Sequence, residues 1–234
     1  NLAKEHGMGA VALRNTNHWQ RGGAFGWQAA DAGTIGICWT NTMPNLPAWG
    51  AKEVRVGNNP LIIGIPKPDG HVVLDMAMSQ FAWGTIESYR LKGKELPIPG
   101  GYDTEGNLTT DPAAIEESQR PLPIGYWKGS GLTMMMDMIG SLLSAGDATK
   151  DIGEYDIEQS ISQFFLCFDL DSIAGQEFYE KKMTDIVDFV KSAEPAEDTD
   201  EVYYPGERTL LTRKENLKRG IPVDDGYWEK LKSM

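Results

Sequence analysis

Five runs of apolar, β-favouring residues punctuate the chain: 9–14 (GAVALR), 34–40 (TIGICWT), 60–66 (PLIIGIP), 71–77 (HVVLDMA) and 161–170 (ISQFFLCFDL). Their length and β-branched content predict strands. Between them the apolar positions recur at helical spacing, predicting helices over 22–33, 84–96, about 130–145 and 175–194, with two short amphipathic helices at 211–219 and 224–232. The Glu-Gly-Asn chemistry of 102–112 predicts a tight turn. Strands interleaved with helices predict an α/β architecture, and no internal repeat is visible.

One motif conflicts with this pattern. Gly7-Met8-Gly9-Ala10-Val11-Ala12 spells a dinucleotide-binding fingerprint, and Asp31 stands about where its ribose-binding acid is expected. The fingerprint works only after a strand and before a helix, so that helix amides meet the pyrophosphate. Here the order is reversed, with a short helical tail (NLAKEH) first and a strand-like run after. Gly7 is therefore expected to be a left-handed helix cap and Gly9 the turn into a strand.

Composition narrows the classes. With 234 residues and 41% apolar content, the chain can bury a sizeable core. Its 22 basic and 34 acidic residues give a net charge of −12, which argues against nucleic acid or an anionic membrane as partner. The longest apolar run, 132–146, carries Asp137 and is too short for a membrane span. Cys38 and Cys167 lie singly in apolar runs and are expected to be buried free thiols in a reducing cytoplasm. The acidic stretch 192–201 reads as a solvated linker. It separates a domain at 1–195 from C-terminal helices at 196–234 that pack back on the core. The chain begins partway through a helix and without Met, which suggests a preceding segment.

Candidate chemistry is sparse. Three histidines, His6, His18 and His71, show no metal-ligand spacing, so no metal site is expected. The Gly129-Ser130-Gly131 triplet at a helix head either caps the helix or offers amides to a phosphate. His18 follows a strand directly, in a loop with Asn15, Asn17, Trp19, Arg21 and Gly22-Gly23, where α/β proteins place a ligand crevice. It is either an acid/base group or a hydrogen-bonded structural histidine. Asp75, at the end of an apolar strand, either orients a histidine or satisfies backbone amides.

The segments ALRNTNHWQRGGAFGWQAADAGTIGICWTN, WGAKEVRVGNNPLIIGIP, VVLDMAMS, LPIGYWKGSGL and FVKSAE, in that order, resemble the malate/L-lactate dehydrogenase-like family of NAD(P)H-dependent reductases. The resemblance runs through essentially the whole chain. It implies a non-Rossmann α/β fold of the malate/L-lactate (sulfolactate) dehydrogenase type, with a mixed sheet flanked by helices and no glycine-rich fingerprint. It also implies an N-terminal helical segment, bearing a Ser-His-Gly motif and a carboxylate-binding arginine, that these residues do not contain.

Carried across by position, the resemblance places cofactor contacts at His71, Val72, Val73, Leu74, Asp75, Met76 and Ala77, at Trp127 and Lys128, at Gly206, Glu207 and Arg208, and more weakly at Thr42. His18 matches a histidine that donates or accepts a proton in some members, with Asn17 beside it. Arg21 and Lys52 are the candidates for holding a substrate carboxylate. Trp19 and Arg21 replace smaller residues of the malate-type members, which favours a sugar acid over malate. The implied activity is reduction of a 2-oxo sugar acid by NADH, with NADPH possible, in a cytoplasmic homodimer. Related malate-, lactate- or ureidoglycolate-type dehydrogenases, or a cofactor-binding fragment without turnover, are the alternatives.

Overall fold

A computed structural model describes residues 1–197, 199–223 and 225–234. Asp198, in the expected acidic linker, and Asp224, at the start of the last expected helix, lie outside the described residues. Helix α1 (Leu2–His6) ends at Gly7, whose φ of 80° is the left-handed cap expected there, and β1 (Met8–Thr16) follows. The fingerprint is thus a false one. Next come α2 (Gly23–Asp31), β2 (Thr34–Thr40), the short pair β3 (Leu46–Pro47) and β4 (Val54–Val56), and the hairpin β5 (Leu61–Ile65) and β6 (Val72–Met76). The chain continues through α3 (Trp83–Leu91), β7 (Gly101–Tyr102), β8 (Leu108–Thr109), α4 (Pro112–Ser118), α5 (Trp127–Ser144) and α6 (Thr149–Ile152). It closes with β9 (Ile161–Asp169), α7 (Leu170–Ile173), α8 (Gln176–Lys191), α9 (Glu207–Arg219) and α10 (Asp225–Lys232).

The main sheet has the order β1-β9-β2-β5-β6. All five expected strands belong to it, but the expected mixed sheet is corrected: every pairing is antiparallel. The cause is β9. The β1-α2-β2 segment sends two strands in one direction, as a crossover does, and β9 slides antiparallel between them. The helix expected over 84–96 stops at Leu91, with Lys92 and Gly93 turning the chain, and the last amphipathic helix pair begins earlier, at Glu207.

One face of the sheet carries α2 and the other α5. Trp39, Leu46, Met78, Met136 and Phe164 form the core on the α5 side, and Trp19, Cys38, Ile62 and Val73 that on the α2 side. Cys38 and Cys167 are free, as expected, but only Cys38 is buried, Cys167 being half-buried, and burial pushes the Cys38 thiol up to about 12. Cys38 is therefore a packing residue at neutral pH, not a nucleophile. Helix α2 lies unusually close to β5: a Cβ on Gly64 would stand 2.2 Å from the Gly26 carbonyl oxygen.

Candidate active site

Strand register decides what meets at one end of the sheet. Trp39 pairs with Leu61, Leu61 with Met76, and Thr16 with Ile161. The residues that leave the sheet there are consequently Asn17 and His18 after β1, Asn41 and Thr42 after β2, Asn58 and Asn59 before β5, and Ala77 after β6. Sequence positions scattered over the chain become one rim.

The His18 loop is anchored from below. Trp19 is buried and stacks on Phe25 (5.5 Å between rings), with Phe165 edge-on at 6.2 Å. Trp19 is thus a core residue, which removes it from the argument about substrate. Gln163 donates to the Asn17 carbonyl at 3.2 Å. His18 itself is exposed, and its Nδ1 accepts the Gln20 amide hydrogen at 3.1 Å. A neutral imidazole held that way carries its own hydrogen on Nε2, leaving that donor free for a ligand.

Of the two roles open to Asp75, the structure shows backbone satisfaction. Its carboxylate accepts the Gly23 amide at 3.1 Å, at the start of α2, and stands 3.6 Å from the Arg21 Nε. It holds Arg21 at the rim and makes no hydrogen bond to His18. Thr42 is buried beneath the rim, 3.2 Å from Asn58 Oδ1 and 3.1 Å from the Met43 carbonyl oxygen. Around it, Asn59 donates to the Thr133 carbonyl, and Asn41 donates to Asp137 and the Asp147 carbonyl while accepting from the Ser162 amide. This buried polar floor was not anticipated. Its signal is the repeated asparagine at strand ends.

Strand β6 is an edge. The Val73 amide donates outward to the Pro205 carbonyl (2.9 Å), which brings Gly206 alongside, and the Ile124 amide donates to Met78 (2.8 Å), which brings the start of α5 to the other end. Gly206 has a φ of 91° and caps α9, and a Cβ there would meet the Val73 backbone at 3.0 Å. Alternation along β6 turns the Asp75 N–H and C=O to the same outer edge as those of Val73. The three expected cofactor segments therefore border one edge, separated by the roughly 17 Å between Val73 and Met78. Trp127 and Lys128 are exposed in the first turn of α5. The amide reading of Gly129-Ser130-Gly131 is corrected: Gly129 donates to Ile124 and Ser130 to Tyr126, so those amides are already used. Lys52 is exposed on the β3–β4 connection, whose Trp49 amide donates to Ser130 Oγ at 2.9 Å.

A cavity of about 840 Å³ opens between α2 and α9. Ala24, Gln28 and Asp31 line it from one face of α2, with Arg21 just before the helix, opposite Arg208, Thr212, Arg213 and Asn216 of α9. His71, at the head of β6, reaches Asp31 at 3.0 Å. The groove runs beside β6 from Arg21 at the rim to Asp31 at the far end.

The model of the malate/L-lactate dehydrogenase family matches residues 1–232. The chain belongs to the malate/L-lactate dehydrogenase family. A 2,3-diketo-L-gulonate reductase of Citrobacter koseri is 47% identical over all 234 residues, which cover 70% of that protein, and one of Klebsiella pneumoniae is equally similar. Among solved structures, the sulfolactate dehydrogenase of Methanocaldococcus jannaschii aligns at a TM-score of 0.83 with 31% identity, covering 99% of this chain and 67% of that one. The malate dehydrogenase of Entamoeba histolytica aligns at 0.90 with 25% identity, covering 99% and 68%. As a member of this family the protein is an oxidoreductase of the NAD(P)-dependent dehydrogenase type. Among the described residues no helix is long and apolar enough to cross a membrane.

Proposed function

We propose that this protein reduces the 2-oxo group of a sugar acid, 2,3-diketo-L-gulonate, with NADH bound in the groove beside β6. The observation that carries the reading is Arg21, which follows the exposed His18 loop, is held by Asp75 of β6 and lines the end of the groove between α2 and α9. The 47% identity to 2,3-diketo-L-gulonate reductases supports the substrate.

The groove fits a dinucleotide. Its volume of about 840 Å³ lies in the range of small-molecule sites, and Arg208 and Arg213 supply guanidinium donors for a diphosphate. The outward Asp75 peptide groups can pair with a carboxamide, and exposed Trp127 offers a flat surface. The cofactor supplies the hydride. The chain's own residues position and polarise: Arg21, steered by Asp75, faces the substrate carboxylate, Asn17 and Lys52 take further polar groups, and His18 Nε2–H donates to the reacting oxygen as negative charge grows on it. The Gln20 amide occupies Nδ1, so proton delivery falls to another group, for which the Ser-His-Gly histidine implied by the family resemblance is the candidate.

The decisive assay is NADH oxidation by the full-length protein with 2,3-diketo-L-gulonate beside malate and lactate. A kcat/KM highest for the sugar acid is the expected result, and a preference for malate or lactate overturns the substrate. Lys128→Ala should weaken NADH affinity about tenfold, the loss of one charge-assisted contact. Unchanged titration by this variant removes Lys128 from the site.

The resemblance also implies a homodimer, and α5 supports it. Met134, Met135, Met138, Ile139, Leu142 and Leu143 are all exposed on it, and clustered exposed apolar side chains of this kind mark interaction sites. Sedimentation should give twice the chain mass, and Leu142→Glu should shift it toward the monomer. A wild-type monomer at micromolar concentration removes the dimer.

A further inference from the structure

The far end of the groove is built differently from the rim. Asp31 lines the cavity, and its Oδ1 stands 3.0 Å from His71 Nε2. His71 Nδ1 accepts the Lys67 amide hydrogen at 3.1 Å, so the ring hydrogen lies on Nε2 and points at the carboxylate. The histidine is thus a fixed donor that orients Asp31 with one oxygen engaged and the other open, the side chain being 68% exposed. Trp27, one turn earlier on α2, lines the same cavity with its ring 5.8 Å from that of His71. Arg21 stands just before the other end of α2, a nine-residue helix about 13 Å long. An oriented carboxylate beside an aromatic wall, at the end of a groove whose other charged residues are Arg21, Arg208 and Arg213, is a site for a neutral hydroxylated ring attached to a phosphate.

We propose that Asp31, oriented by His71, selects the non-phosphorylated dinucleotide by accepting hydrogen bonds from the adenosine ribose and repelling a 2′-phosphate. The inference rests on the cofactor groove proposed above. Two ribose hydroxyls are donors that a carboxylate can accept, whereas a 2′-phosphate is an anion brought against an anion. The discrimination is therefore mainly repulsive. Arg208 and Arg213 answer the diphosphate, which both cofactors carry. Asp31 is the residue that the false glycine fingerprint pointed to, but its place here comes from the cavity and from His71, not from spacing to any glycine.

Equilibrium calorimetric titration tests this without turnover. The ligands are NADH and NADPH, together with ADP-ribose and its 2′-phosphorylated form, which read the adenosine end alone. The wild type should bind the unphosphorylated ligand of each pair at least about tenfold more tightly. Asp31→Asn keeps the shape and an acceptor for His71 but removes the charge, and should bring each pair within about threefold at an unchanged melting temperature. Equal or tighter binding of the 2′-phosphorylated ligands by the wild type, or an unchanged ratio in Asp31→Asn, overturns the assignment while leaving the groove in place. Binding of neither dinucleotide by the wild type removes the groove and the inference together.

Discussion

His18→Ala is expected to lower kcat for reduction of 2,3-diketo-L-gulonate by about 10²–10³, the usual cost of removing one donor to a developing oxyanion. Its effect on stability should be slight, because the side chain is exposed and its hydrogen bond is to the nearby Gln20 amide. The same geometry separates donation of a hydrogen bond from transfer of a proton. An imidazolium that gave up its Nε2 proton would be left with hydrogen on Nδ1, against the Gln20 N–H. The donor role therefore fits the loop as it stands, and His18→Gln, whose terminal amide reaches about as far as Nε2, should recover much of the lost rate. Glutamine as poor as alanine would show that the proton itself is transferred. Wild-type turnover in both variants would remove His18 from the chemistry.

The elements that were legible in the sequence share a cause. A sheet covered by α2 on one face and α5 on the other needs apolar strands, so all five strands stood out as apolar runs. Gly7 could be read because the order of helix and strand around it was wrong for a fingerprint. Strand β9 could not be placed: its insertion between β1 and β2 is a long-range event that the local alternation of strands and helices does not record. Helix α4 lay just beyond a stretch read as a turn, although Asp111 as cap, accepting the Ala113 amide, and Pro112 in the first turn are a recognisable start. For the site, His18 and Asp75 were visible because they sit at the ends of strands, and the rest of 71–77 only through the family resemblance. The groove was not, since one wall is α2 and the other is α9, far apart in sequence, and Arg213 has no motif around it.

Gly64→Ala should be among the most damaging single-methyl changes in the fold. The added Cβ would lie 2.2 Å from the Gly26 carbonyl oxygen, 2.7 Å from its carbonyl carbon and 2.9 Å from its Cα. All three are backbone atoms of α2, so no side chain can swing aside. Either the helix lifts from β5 or the strand bows, and β5 is held by β2 and β6 on its two sides. Helix α2 should therefore move, straining the Gly23–Asp75 hydrogen bond and the Trp19–Phe25 stack that anchors the His18 loop. Overpacking of this kind costs about 1–3 kcal/mol, and backbone against backbone belongs at about 3. For a chain of this size that is a fall of about 6–12 °C in Tm. NADH affinity should fall with it, because α2 forms one wall of the groove. Gly84→Ala is the control: nothing lies within 4 Å of a Cβ there, and in the first turn of α3 the change should be neutral or slightly stabilising. A Gly64→Ala protein melting within a degree of the wild type would mean that α2 does not press on β5 as described.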